Sequence, residues 1–336
     1  VKLGSSLVVD ARGRPRRALL RARAAEIAEL VAAGTPVCVV SSGAIALGLR
    51  RLGAARRPSS LPRLQAASAL GQAALQRAWQ DALAPHGLDA AQILLTSAEI
   101  ADRRAYVNVR SALGALHALG AVPVVNENDA TSTDEISFGD NDALAAQVAV
   151  LARARLLVLL TSVPGVLHEG VLIEDGASAR AAVLGPSAEL GRGGMESKVA
   201  AAELAAGAGI PTVIADGAAE GVLARAAAGR PAGTSFAAGE GASAFKLWLR
   251  HGKRVAARVQ VDEGARRAIL ERGASLLAVG VEGWDAEFRA GDGIDLLGPD
   301  GAAFARGIAS VDAGELAGRP AGVEAVHRDR LVLLQP

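Results

Sequence analysis

One cysteine in 336 residues can close no internal disulfide, which fits a reducing, cytoplasmic setting. That residue, Cys38, lies in the apolar run VCVV, where a buried and unreactive thiol is expected. Charge of one sign is missing too. A formal net charge of +1 gives no global attraction to nucleic acid or to an anionic membrane, so any such partner needs a local patch. Apolar runs long enough to cross a membrane are absent: ALAAQVAVLARARLLVLL is broken by Arg153 and Arg155 well short of the roughly 20 residues a span requires. The opening VKLGSS has neither the charged nor the apolar region of a secretory signal, and it reads as a strand whose first residues are missing. There are no internal repeats and no low-complexity segments.

What is present is material for two domains. Hydrophobic residues make up 51% of the chain, enough to bury at least one full core. Up to about residue 245, short β-branched runs (TPVCVV, AQILLT, AVPVVN, RLLVLL, IPTVIA) alternate with Ala/Leu segments of helical period at 16–33, 64–84, 103–119, 141–152 and 196–206. Continuous apolar strands separated by helices predict an α/β fold, an open and mainly parallel sheet sandwiched by helices. Gly34, Gly120 and Gly207 each follow a helix and precede a strand, where a left-handed closing residue is expected. From Val255 the pattern turns to short alternating strands broken by glycine (VAARVQVDEG, GIDLLGPDG, RLVLLQP), with one brief helix at EGARRAILERG. This predicts domains at 1–245 and 255–336, the second small and mainly β, joined by a linker at 246–254.

In an open α/β sheet, ligands bind beyond the carboxyl ends of the strands, where loops lead into helix N-termini. Polar residues cluster at five such places. The glycine-rich GRGGMESK (191–198) opens a helix, so its backbone can approach an anion closely and Lys198 adds a point charge, as a nucleotide phosphate requires. The spacing fits neither a Walker A loop nor a dinucleotide fingerprint, and a surface loop with a solvated lysine explains the same letters. Lys2 is a second cation, unusual in an apolar strand unless its ammonium reaches a partner, the alternative being an edge-strand lysine in water. Ser41, Ser42 and Gly43 could cradle a carboxylate or phosphate, or a serine could simply cap a helix. Thr161 and Ser162 end a fourth strand in LLTSVPG. The fifth place is VVNENDATSTDEISFGDNDALAAQ (124–147), with carboxylates and amides at a strand end and again at a helix start, where Asp140, Asn141 and Asp142 stand. Capping accounts for one or two of these, and no frame supplies the Gly and Glu of a calcium-binding EF-hand. Amides and carboxylates facing one pocket suit a ligand with an ammonium and its own carboxylates, which describes an amino acid.

Through VKLGSS, VVSSGAIALG, VNENDATSTDEISFGDNDALAA and GRGGMESK, in this order, the chain resembles the amino acid kinase family in its glutamate 5-kinase branch. Its tail, from VDEGARRAILERGASLLAVGV through FRAGDGIDLLGPDGAAFARG, resembles a PUA domain. The resemblance implies ATP- and Mg²⁺-dependent phosphorylation of the side-chain carboxylate of L-glutamate, the first step of proline synthesis. It implies glutamate contacts at Ser42, Asn126, Asp129 and Asn141, and an ATP site at Lys2, Thr161, Ser162, Arg192, Gly193, Gly194, Met195, Glu196, Ser197 and Lys198. Three places depart from the family: Ser162 stands where Asp is usual, the loop after VPGVL lacks the usual Tyr and Asp-Pro, and Arg192 stands where Thr is commoner, which bears on nucleotide affinity and base contacts. Feedback inhibition by proline, a dimeric or tetrameric assembly and RNA binding by the tail are further implications. The rival family reactions act on N-acetylglutamate, aspartate or a nucleoside monophosphate. The basic KLWLRHGKR (246–254) reads as a solvated linker or as an RNA contact.

A glutamate side chain, with a pKa of about 4.3, is already ionised at neutral pH, so no general base is required and none of the clusters contains histidine. The expected catalytic set is Lys2 and Lys198 flanking the migrating phosphoryl group, with Asp142 orienting both ammonium groups. Mg²⁺ is expected on phosphate oxygens and water, with no protein metal site.

Overall fold

The computed structural model describes residues 1–54, 57–131, 140–184, 194–239, 249 and 255–334. They form two compact units, Val1–Gly241 and Ala242–Pro336, described separately.

The first unit is built on β1 (Lys2–Leu3), β2 (Val39–Ser41), β3 (Ala90–Leu95), β4 (Val122–Glu127), β5 (Leu157–Thr161), the hairpin β6 (Val166–His168) and β7 (Val171–Ile173), β8 (Thr212–Asp216) and β9 (Gly233–Phe236). Its helices are α1 (Ser5–Val8), α2 (Arg17–Ala32), α3 (Ala44–Arg51), α4 (Leu61–Leu83), α5 (Ser97–Ala101), α6 (Arg103–Ala118), α7 (Asp140–Leu151), α8 (Gly176–Leu184), α9 (Gly194–Gly207) and α10 (Val222–Ala227). Seven strands form one sheet in the order β3-β4-β2-β1-β5-β8-β9, parallel except at β9. β1, the shortest, is at the centre because the chain crosses over in both directions from it. Its neighbours pair Lys2 with Val40 and Leu159. Leu3, Val39, Val124 and Leu160 belong to the apolar core, with Trp79 of α4 fully enclosed among them.

The expected helices and strands are present within a few residues. Gly34 and Gly120 close their helices with φ of +78° and +76°. Gly207 does not: it is the last residue of α9, and Gly209 adopts the left-handed conformation at φ +85° because α9 runs further than expected. Cys38 is less enclosed than expected. The residue keeps partial exposure just ahead of β2, although burial of the thiol pushes its pKa up to about 11.

One packing detail positions the site. A Cβ on Gly48 of α3 would stand 1.7 Å from the Ala67 carbonyl oxygen of α4, and one on Gly71 would stand 1.8 Å from the Ala44 oxygen of α3. The two helices therefore touch backbone to backbone, which brings α4 within reach of short side chains near the strand ends.

The second unit contains β10 (Val255–Val261), α11 (Glu263–Arg272), β11 (Leu276–Leu277), β12 (Val281–Trp284), β13 (Gly293–Leu297), β14 (Ala303–Ala309) and β15 (Glu324–Leu333). Six strands form a sheet in the order β11-β15-β14-β13-β10-β12 around Val259, Ile294, Leu296 and Val326. Asp262 caps α11, accepting from the Ala265 N–H at 2.7 Å, and Gly273 ends it at φ +58°. Among the described residues no helix is long and apolar enough to cross a membrane.

Candidate active site

Parallel strands present their carboxyl ends on one edge of the sheet, and the polar residues of β1, β2, β4 and β5 gather there. Lys2 is central and only 3% exposed, which rules out an edge-strand lysine in water. Its Nζ lies beside Gly4, 3.6 Å from where a Cβ would stand on that residue. The ammonium meets Asp142 Oδ1 at 2.5 Å, and Asp142, in the first turn of α7, is 1% exposed.

Lys198 approaches the same carboxylate from α9. Its Nζ is 3.2 Å from Asp142 Oδ2 and 3.0 Å from the Gly194 carbonyl oxygen, and Ser197 Oγ donates to Oδ2 at 2.8 Å. Since α9 begins at Gly194, Lys198 stands a turn inside the helix, and it folds back toward the N-terminus. Burial works to raise the Asp142 carboxyl, but the two ammonium groups overcome it and hold the pKa below the usual carboxylate range. For Lys2, burial dominates and draws the pKa below the usual lysine value, with Asp142 opposing and Lys198 assisting. One buried carboxylate thus holds two ammonium groups, leaving local charge in excess.

The residue preceding Asp142 belongs to a second cluster. Asn141 Nδ2 donates to Asn126 Oδ1 at 3.0 Å, and Asn141 Oδ1 accepts from the Glu127 N–H at 3.3 Å. Asn126 and Asp129 are 3% and 7% exposed. Consecutive residues of α7 therefore point one way to the lysines and the other way to the strand-end amides, joining the cationic and the amide-rich clusters at a single peptide. Ser42 follows β2, its N–H donating to the Leu3 carbonyl at 3.0 Å, and the capping position of α3 is occupied by Gly43 at φ +116°, so no serine side chain caps that helix.

Thr161 ends β5 in register with Asp216 of β8, and Ser162 follows it, exposed. On α9, Met195 is half-buried and Glu196 exposed, and no hydrogen bond joins either to the lysine cluster among the described residues. Arg192 and Gly193 lie outside the described residues, as do residues 132–139 and, apart from the buried Leu249, residues 246–254. Among the described residues no group of three or more His, Cys, Asp or Glu side chains could hold a metal ion.

Three residues of α4 escaped sequence reasoning. Ser68 Oγ donates to Asp129 Oδ2 at 2.5 Å, Gln72 bonds to Asn126 and to the Glu127 carbonyl, and Trp79 Nε1 donates to Ser41 Oγ at 2.9 Å. Their letters lie in the polar and apolar stripes of an ordinary amphipathic helix; only the i, i+4 spacing of Ser68 and Gln72 hints that they share a face.

Comparison with known proteins agrees with this geometry. Residues 1–216 match the amino acid kinase family and residues 257–326 match the PUA domain. The chain is 46% identical to the glutamate 5-kinase of Novosphingobium aromaticivorans over 363 aligned residues, covering 99% of this chain and 95% of that protein. It is 41% identical to the glutamate 5-kinase of Thermus thermophilus, covering 99% and 96%, and 42% identical to that of Myxococcus xanthus, covering 99% and 95%. With its central buried lysine, its second lysine on α9 and these full-length likenesses, the chain belongs to the amino acid kinase family and carries a PUA domain.

Proposed function

We propose that this kinase transfers the γ-phosphoryl group of ATP to the side-chain carboxylate of L-glutamate, giving glutamate 5-phosphate and ADP and supplying proline synthesis. The observation that carries the proposal is the meeting of Lys2 and Lys198 on Asp142, one residue from the Asn141–Asn126 pair. An ionised glutamate carboxylate is its own nucleophile, so the task is to bring two anions together and to stabilise charge on the migrating group. Lys2 and Lys198 supply that charge, and Asp142 aims both ammonium groups while excluding alternative partners. Asp129, Asn126, Asn141 and Ser42 are suited to holding the amino acid, the carboxylate taking its ammonium and the amides its oxygens. Thr161, Ser162 and residues 192–198 are assigned to the nucleotide. A divalent cation such as Mg²⁺, bound to phosphate oxygens and water, supplies further neutralisation.

In this reading the kinase domain occupies 1–245 and the PUA domain 255–336, with 246–254 between them. Proline as feedback inhibitor and a dimeric or tetrameric assembly belong to the same reading. The test is hydroxamate detection of an acyl phosphate with ATP and, in separate reactions, glutamate, aspartate and N-acetylglutamate. Product is expected with glutamate alone. An acyl phosphate from N-acetylglutamate or aspartate in its place, or none, overturns the proposal.

A further inference from the structure

Four hydrogen bonds beside the acceptor pocket close into a ring. Gln72 Nε2 donates to the Glu127 carbonyl at 3.5 Å, the Glu127 N–H donates to Asn141 Oδ1 at 3.3 Å, Asn141 Nδ2 donates to Asn126 Oδ1 at 3.0 Å, and Asn126 Nδ2 donates to Gln72 Oε1 at 3.3 Å. Each of the three side-chain amides uses one N–H and one oxygen lone pair within the ring. Rotating any amide by half a turn would set N–H against N–H and oxygen against oxygen at two joints, so the ring fixes all three orientations together. What remains outside it, a second N–H and a second lone pair on each of Asn126 and Asn141, is thereby aimed.

We infer that Gln72 is a positioning residue for the acceptor amino acid: by closing this ring it sets which way Asn126 and Asn141 present their amide groups. The inference rests on the glutamate reading above. Gln72 does not act alone on its helix. Ser68, one turn earlier, holds Asp129 at 2.5 Å, so a single face of α4 fixes both halves of the strand-end cluster. The close crossing at Gly48 and Gly71 sets the depth at which that face lies. Neither lysine takes part in the ring, so its loss should affect acceptor binding and spare phosphoryl transfer.

The test is steady-state kinetics on the full chain with Gln72→Met, which keeps volume and removes both hydrogen bonds. The expected result is a KM for glutamate raised on the order of 10-fold, with kcat, KM for ATP and Tm little changed. An unchanged KM for glutamate overturns the inference, as does a rise in both KM values in step with a lowered Tm. If Gln72→Met does not fold, Gln72→Glu decides. Its carboxylate cannot donate to the Glu127 carbonyl and sets oxygen against oxygen at that joint. Its KM for glutamate should therefore be raised about tenfold or more, with kcat and KM for ATP little changed. A KM for glutamate equal to that of the unaltered chain overturns the inference. Absence of acyl phosphate from the unaltered chain removes the glutamate reading and this inference with it, whereas normal turnover with unresponsive Gln72 variants removes this inference alone.

Discussion

Arg23 and Glu26, a turn apart on α2, are nearly as buried as Lys2 and Asp142, yet the two constellations balance charge differently. Arg23 NH2 meets Glu26 Oε1 at 2.7 Å, and Arg23 NH1 donates to the Ala219 carbonyl at 2.8 Å. Glu26 accepts from the backbone N–H groups of Gly221 and Leu223 at 3.1 and 2.7 Å, which orders the loop leading into α10. One cation faces one anion, and of the buried polar atoms in this pair only Arg23 Nε lacks a partner among the described residues. At Asp142 two ammonium groups share a single carboxylate. Burying an unbalanced cation costs free energy, so such an arrangement persists in a folded protein when something else completes it. In the proposed function a triphosphate does so. Charge balance, more than burial, separates a structural staple from a site.

Substitutions on each side should give opposite phenotypes. Lys2→Met or Lys198→Met should lower kcat about 100- to 1,000-fold with KM for glutamate nearly unchanged, measured as acyl phosphate formed. A loss below about tenfold would return these lysines to a structural role. Glu26→Gln, by contrast, strands a buried guanidinium and should cost about 3 kcal/mol or more in urea unfolding, while kcat per folded molecule holds. Were kcat to fall as steeply as at Lys198, the distinction would collapse. The third contrast is in pH. Because the folded chain holds the Asp142 pKa below its unfolded value, its contribution to stability is complete above about pH 4 and is lost as pH falls through the folded value. The stability difference between the unaltered chain and Asp142→Asn should therefore be constant from pH 5 to 8 and shrink only in strong acid, and shrinkage already near neutrality would contradict the sign. The smallest effect is expected at the surface pair Arg180–Glu203, 3.2 Å apart with the arginine side chain 54% exposed. Arg180→Gln should change unfolding by less than about 1 kcal/mol.

Much of this was legible in the letters. The alternation of β-branched runs with Ala/Leu segments is a direct imprint of buried parallel strands and their covering helices. Lys2 stood out because charge amid apolar neighbours demands a partner, and Asp142 because it belongs to a polar cluster at a helix start, although only the fold could bring residues 2, 142 and 198 to one point. Ser68 and Gln72 were not legible, since α4 also carries Gln65, Gln76 and Gln80, and beyond the i, i+4 spacing nothing local separates a ring member from a glutamine that bonds elsewhere, as Gln76 does to the Ala90 carbonyl. The antiparallel edge strand β9 and the hairpin β6–β7 escaped as well, being too short for any period to register.

Gly71 carries a lesson about tolerance to change. It touches no substrate in any reading, but a methyl group added there would collide with the Ala44 carbonyl oxygen beside the serine loop. Random drift should therefore meet a wall at a residue without chemistry, and anyone reshaping this kinase for a longer acceptor would do better to edit the side chains lining the cleft than to disturb the empty space on which two helices rest.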